Sequence, residues 1–492
     1  MGPNAVRKTS TSKSDGRLAH MGFYGLIILI AWSPFPFASN RPWSWSLLAL
    51  MVGCLLVLWS VAVIVRPDLM RLSWRRCIWV CVFFGAAGLW AFIQTLSQMP
   101  EGLQDPLWGA AGRTLGQTIH GTISADPSAS MGGLMRLIAY GGVFWLAAQF
   151  ARHPTYARKI LWSIACVGIA YAVYGIIVFS SGNQTILWYD RWAYNGDLTS
   201  TFVSRAAFGA YAGLALLVSL ALIFHIAERC SNTLQEGRRS LVSLLDALPA
   251  RIYVLIAGCF VLATALVLSH SRGAVAVTAL GVGAMLTALI YRHKGRRQRL
   301  IAVALIVLVT GAGVLQLSGG VTLGRALQLA DQGTGRDAIH SLTLRGIEDA
   351  PVTGRGLDTF RHLYFRYRDK DIPWESPRYD KAHNTYLELV LELGLVGFLF
   401  LMGAIVMIVG TLCSGMVRRQ RDAIYPIVGL SASILIGTHS VLDFSVQMPA
   451  IAVTYSAILG VAYAQSWRTD RPATADVGTD TGRISVAVTA DS

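Results

Sequence analysis

Eight ionisable residues of this chain fall at or near the ends of long apolar runs: Arg136, Arg205, His270, Arg272, His383, Glu388, His439 and Asp443. Charged groups at membrane depth are rare and mark functional sites by default, so these side chains come first. Arg205 and Arg272 carry planar guanidinium forks that match phosphate oxygens two at a time and stay charged. An arginine at the edge of an apolar run also serves simply to lift its tip to the headgroups. Two of them on the side of a membrane where basic residues are disfavoured point to an anion, such as the diphosphate of a lipid carrier. Arg136, just inside the end of a neighbouring apolar run, would add positive field.

His383 stands immediately before a helical pattern, where a neutral imidazole is suited to accept a proton from a hydroxyl. The helix N-terminus behind it is itself a place for a phosphate. Bland alternatives stand beside these. A single histidine is more often structural, Thr385 and Glu388 have the T-x-x-E spacing of a capping box, and Arg345 is placed to pair with Glu348 or Asp349. No acidic cluster at metal-ligand spacing accompanies the set, and Cys77 and Cys81, at i,i+4 without His or Cys neighbours, read as packing. No metal or cofactor is expected.

The elements that must position these groups follow from composition. Of 492 residues, 54% are hydrophobic and 14% charged, against about 25% charged in a soluble domain. Apolar segments fall at about 22–39, 45–65, 77–97, 133–150, 159–180, 205–226, 252–271, 273–291, 300–316, 385–414, 424–441 and 448–465. Each is long enough, at roughly 20 residues, to span a bilayer, and a spanning segment must satisfy its own backbone hydrogen bonds. The fold class is therefore all-α, a polytopic membrane protein of about twelve helices. Its expected divisions are a cytoplasmic tail at 1–21, helices one to nine at 22–316, a large outer loop at 317–384, helices ten to twelve at 385–465 and a disordered tail at 466–492.

The net charge of +15 would suggest nucleic acid in a soluble protein. Here its placement fixes orientation instead. With both termini inside, the inner segments hold 26 of the 42 basic residues and 10 of the 27 acidic ones, so the excess is an anchoring signature and no nucleic-acid partner is expected. The outer connections at about 98–132, 181–204 and 319–384 are the sizeable ones. In the second, Trp188, Tyr189, Trp192 and Tyr194 suit either an interfacial aromatic belt or sugar stacking. The third mixes ten basic with nine acidic residues around a turn-rich centre, Pro351 to Gly356, and suits a small folded cap.

Four short motifs in order resemble those of the O-antigen ligase and O-antigen polymerase superfamily. HNTYLELVLELGLVG from His383 to Gly397 resembles its HN-x-YL-x-x-x-x-E-x-G-x-x-G signature, and Thr201 to Arg205 its T-F-x-x-R element. SRG at Ser271 to Gly273 resembles its turn, and Gly354 to Phe360 its G-x-G-x-x-x-F loop. The motifs cover roughly residues 200–400. The Ala206-Ala207-Phe208 that follows Arg205 departs from the polar Asn-His pair of many members.

The resemblance implies a GT-C-like, inverting, metal-independent glycosyltransferase of the bacterial inner membrane, acting at the periplasmic face in lipopolysaccharide or exopolysaccharide biosynthesis. The donor it implies is a glycan on undecaprenyl diphosphate, and the acceptor is lipid A–core, a protein or another glycan. It assigns His383 to the acceptor hydroxyl and Arg205 and Arg272 to the donor diphosphate; Arg136, Arg345, Tyr386 and Glu388 stand beside them as candidate supporting residues. A polymerase joining lipid-linked repeats is the alternative within the family. A polysaccharide transporter or a scaffold are alternatives outside it, and the mid-membrane stretches lack the polar sites that transport tends to need.

Overall fold

The computed structural model describes residues 11–233, 249–292, 333–368 and 379–467. Their helices are α1 (Thr11–Trp32), α2 (Pro42–Val65), α3 (Trp74–Ile93), α4 (Pro106–Leu115), α5 (Pro127–Ala151), α6 (Pro154–Ser180), α7 (Arg205–Thr233), α8 (Ala250–Leu268), α9 (Arg272–Arg292), α10 (Gly333–Asp349), α11 (Phe360–Tyr367), α12 (Thr385–Arg418), α13 (Ile424–Leu442) and α14 (Pro449–Gln465). The strands β1 (Thr185–Ile186) and β2 (Tyr189–Asp190) form a two-residue antiparallel pair.

The chain is an all-α polytopic membrane protein. Among the described residues nine helices are long and apolar enough to cross a membrane, and Leu18–Trp32 and Pro449–Gln465 are shorter apolar helices. These coincide with eleven of the twelve expected segments; the one at 300–316 lies outside the described residues, as do parts of the loop expected at 317–384 and nearly all of the C-terminal tail. The first segment ends earlier than its hydropathy indicates. After Trp32 come Pro34 and Pro36, and Phe37, Ala38 and Ser39 then take positive φ, so the chain turns where the two prolines interrupt the apolar run.

At the centre lies α14, nearly every residue of which is buried. Its small side chains, Ala450, Ala457 and Ala462 among them, let it lie close against α5 and α13. This is how helices associate where the surrounding lipid gives apolar contact no advantage. Buried polar groups are matched: Gln149 of α5 both accepts from Leu72 N and donates to Leu72 O, each at 3.2 Å.

The longest helix, α12, is broken at Gly394, whose φ of 65° and ψ of 176° leave the helical region. Into the break docks the segment Pro351 to Gly356. Leu395 N donates to Pro351 O at 2.8 Å, and Arg355 N and Gly356 N donate to Leu391 O and Glu392 O at 3.0 and 2.8 Å. From α3 and its C-cap, Trp90 Nε1 donates to Leu393 O at 2.8 Å and Gln94 Nε2 to Glu392 O at 2.9 Å. Backbone groups freed by a helix break at membrane depth must find partners, and these provide them. Gly354 and Gly356 also have positive φ. A side chain at Gly394 would run into the Val352 carbonyl.

The cap is a small helical unit. Ile339 and Leu342 of α10 pack with Phe360, Leu363 and Tyr364 of α11, and with Ala382 and Leu391. The carboxylate of Asp105, with no exposed side-chain surface, accepts from Arg355 at 3.0 Å and from Arg366 at 2.9 Å, tying the cap to the connection before α4.

Candidate active site

His383 sits in the left-handed region, with φ of 54°, one residue ahead of the helix cap. That cap is Asn384, whose side chain accepts from Tyr386 N and Leu387 N. The T-x-x-E capping box anticipated from Thr385 and Glu388 is therefore not formed: Thr385 already lies inside the helix, and its hydroxyl donates to Asp443 O at 3.1 Å. Glu388 reaches back past the cap, accepting from Ala382 N at 2.7 Å and pairing with Lys381 Nζ at 3.1 Å.

The His383 ring is held on three sides. Nδ1 lies 3.1 Å from Asp443 Oδ1, and the ring meets Phe444 and Tyr379 edge-on at 4.9 and 5.8 Å between centroids. Asp443, the C-cap of α13, is buried. Burial alone would raise its carboxyl, but the hydrogen bond and charge of His383 hold it below the usual carboxylate range. With Nδ1 committed to a carboxylate, Nε2 is the nitrogen that can take a proton.

The two arginines come from a second cluster. Arg205 opens α7 and donates through Nη1 to Asp197 Oδ2 at 2.8 Å; Asp197 Oδ1 meets His270 Nδ1 at 2.8 Å. Asp197 is buried, and so it clamps the connection before α7 to the turn between α8 and α9. That turn is further fixed by Leu198 N donating to Leu268 O at 3.0 Å and by the positive φ of His270. Arg272, exposed, is the first residue of α9. The start of α9 adjoins the end of α13, because a side chain at Gly273 would lie 3.9 Å from Leu442, the residue before Asp443. The arginine cluster and the histidine thus occupy one end of the bundle.

The supporting residues fall differently from expectation. Arg136 is buried, pairs with Asp358 and stacks on Trp45 at 4.6 Å, so its charge is already matched and it fastens the cap loop to α5. Asp358 also binds Lys381 Nζ at 2.9 Å. Arg345 is exposed in the cap and donates to Tyr367 O at 3.1 Å, and Asp349 accepts from Tyr367 Oη at 2.7 Å. Tyr386 Oη donates to Gly437 O at 3.0 Å, joining α12 to α13. Glu392 accepts from Phe360 N at 3.1 Å, closing the start of α11. His439 is buried in α13. Of the four outer aromatics, Tyr194 lies under the Arg205 guanidinium at 5.5 Å, and Trp192 under Arg41 at 5.0 Å.

Lys381 is the polar group most firmly held in this region. Burial works against its charge, yet Glu388, Asp358 and Glu392 raise its pKa, while Lys381 and Arg136 in turn hold Asp358 below its ordinary range despite that group's own desolvation. Arg136, Asp358, Lys381, Thr385, Tyr386 and Glu392 line a cavity of about 640 Å³ whose other walls are mostly apolar. An anchor for a hydrocarbon chain with a polar end fits this shape.

Asp197, Asp358 and Lys381 were not singled out as site residues from sequence. Asp443 was visible as a span-edge carboxylate, but nothing in its spacing to His383 tied the two. Lys381 had one signal, its place two residues before the histidine. Among the described residues no group of three or more His, Cys, Asp or Glu side chains is arranged to hold a metal ion.

The family model described as O-Antigen ligase matches residues 257–402. The matched stretch contains His270, Arg272, Asp358, Lys381, His383 and Glu392, while Arg205, Asp197 and Asp443 lie outside it. The match supports the O-antigen ligase superfamily and, with it, glycan transfer of the O-antigen ligase type by a membrane protein. No curated protein matches the chain.

Proposed function

We propose that this protein transfers a glycan from undecaprenyl diphosphate to an acceptor hydroxyl at the periplasmic face of the inner membrane, as an inverting, metal-independent ligase. The observation that carries this reading is the His383–Asp443 pair at 3.1 Å, set at the same end of the bundle as Arg205 and Arg272. A base with one nitrogen anchored and two phosphate-type arginines at the membrane edge are the parts such a reaction needs.

The donor lies with its diphosphate against Arg205 and Arg272. A guanidinium has five N–H donors, and Arg205 gives one hydrogen bond to Asp197, so the same side chain can be both positioned and used. The acceptor oxygen attacks the anomeric carbon as the bond from that carbon to the phosphate oxygen breaks. One displacement inverts the configuration. The hydroxyl proton passes to His383 Nε2, an effect of about 10²–10⁴-fold, while Asp443 holds Nδ1. Charge growing on the departing diphosphate is met by the arginines, which are already in place and need not reorganise.

The test is transfer from glycan-loaded undecaprenyl diphosphate to lipid A–core by the purified protein in the presence of EDTA. His383→Ala is expected to abolish transfer while retaining donor, and Arg205→Ala and Arg272→Ala to weaken donor binding. Wild-type turnover by His383→Ala would sink the assignment. Product that lengthens on the lipid carrier without lipopolysaccharide present would show a polymerase instead.

A further inference from the structure

At the other end of α7 from Arg205, three helices bring basic residues to one small pocket. It has a volume of about 50 Å³ and is lined by Arg158 and Trp162 of α6, His225 and Arg229 of α7, and Arg251 of α8. His225 follows Arg205 by 20 residues on the same helix, about 30 Å at 1.5 Å per residue, which places the pocket at the opposite membrane face from the candidate active site. We propose that this pocket binds the phosphate of an anionic phospholipid in the leaflet on the basic, cytoplasmic side.

Three features support a ligand there beyond the general excess of basic residues on that face. His225 is 4% exposed, and its Nε2 meets no hydrogen-bond partner among the described residues, which is unusual for a buried polar atom. The other ring nitrogen, Nδ1, stands 3.7 Å from Asp422 Oδ1, too far for a hydrogen bond, so the ring is free to carry its proton on Nε2 and donate it into the pocket. Arg229 leans on Asp422 at 3.3 Å; Arg158 and Arg251 meet no carboxylate at ion-pair distance among the described residues. The local balance is therefore strongly positive.

Size selects the ligand. A water needs roughly 10–15 Å³ of such volume, so the pocket holds one tetrahedral oxyanion and excludes a sugar or a nucleotide base. Basic pockets between membrane helices on the cytoplasmic side bind anionic headgroups in this manner, with the acyl chains left outside in the bilayer. Trp162 at the pocket wall suits the headgroup level. Inorganic phosphate has the same chemistry, and the experiment separates the two.

The full-length protein, purified and delipidated in detergent, is titrated with phosphatidylglycerol, phosphatidylethanolamine and inorganic phosphate, with bound lipid read by native mass spectrometry and Tm by thermal shift. In the wild type phosphatidylglycerol is retained in preference to phosphatidylethanolamine and raises Tm. Arg158→Gln with Arg251→Gln weakens its binding roughly thirtyfold. His225→Phe, which fills the pocket and removes Nε2, gives a comparable loss. Arg66→Gln with Arg75→Gln, on the same face but away from the pocket, retains wild-type binding. Equal retention of the two lipids by the wild type overturns the proposal, as does undiminished binding in the folded double variant. Binding of inorganic phosphate that needs Arg158 and Arg251 and that phosphatidylglycerol does not displace would assign the pocket to a soluble anion and overturn the lipid.

Discussion

Lys381 Nζ lies 3.1 Å from Glu388 Oε1, so the pair spans His383, the positive-φ residue ahead of α12, and ties the approach to the first turn of that helix. Because Lys381 also holds the partly buried Asp358, replacing it with Met leaves the buried Glu388 and its neighbour with one cation fewer. Breaking a buried pair in this way costs about 3–5 kcal/mol. A large fall in Tm is expected for Lys381→Met in detergent, and a much smaller one for Lys381→Arg.

Asp443→Asn keeps the shape of the carboxylate but no longer requires Nδ1 of His383 to carry the proton. With the histidine free to present the wrong tautomer or orientation, kcat is expected to fall about 10²-fold or more, with little change in donor KM. An Asp443→Asn enzyme with wild-type kcat would show that the carboxylate does not position His383 for proton transfer.

Asp197→Ala removes the clamp shared by Arg205 and His270. Charge-assisted hydrogen bonds contribute about 1.5–3 kcal/mol each, so donor KM is expected to rise by roughly tenfold or more. Steady-state kinetics at varied donor concentration separates this from an effect on kcat.

Acid should act on the pairs that hold the site. Asp358 and Asp443 both titrate below the ordinary carboxylate range. Their contribution is thus complete above the unfolded value of about 3.9 and is lost as pH falls through the lower folded values. Thermal unfolding measured from neutral pH downward is expected to show a drop beginning near pH 4 that is smaller in Asp358→Asn, which has already lost one of the pairs.

Gly394→Ala places a methyl group against the Val352 carbonyl at a residue with φ of 65°. Strain at such a position costs of order 1–3 kcal/mol, and the collision adds to it. Lower Tm and faster proteolysis of the cap are the expected readouts, with Gly410→Ala, where a side chain meets open space, as the control.

Most of the architecture was legible in the sequence because apolar run length and the distribution of Lys and Arg obey the bilayer directly. The site was legible only as far as individual residues announce themselves. Arg205, Arg272 and His383 stand out because a charge at a span edge is costly. Their partners are invisible from spacing: Asp443 is 60 residues from His383 in the chain, and Asp358 is 222 from Arg136. Arg136 was read as a free cation for that reason, and Glu388 as a capping residue because T-x-x-E describes local geometry that Asn384 in fact provides. The break at Gly394 was likewise hidden, since a glycine within an apolar run does not reveal that Pro351 to Gly356 will dock there.

That docking has a consequence for how the protein can vary. The short first section of α12, from Thr385 to Leu393, is separated from the rest of the helix by Gly394 and stitched to the cap by Arg355 N, Gly356 N and the Glu392 side chain. The base and the cap are therefore one block seated on the bundle, not a fixed histidine beneath an exchangeable lid. Transplanting the cap between related chains, to alter which acceptor is received, would have to carry residues 351–397 together.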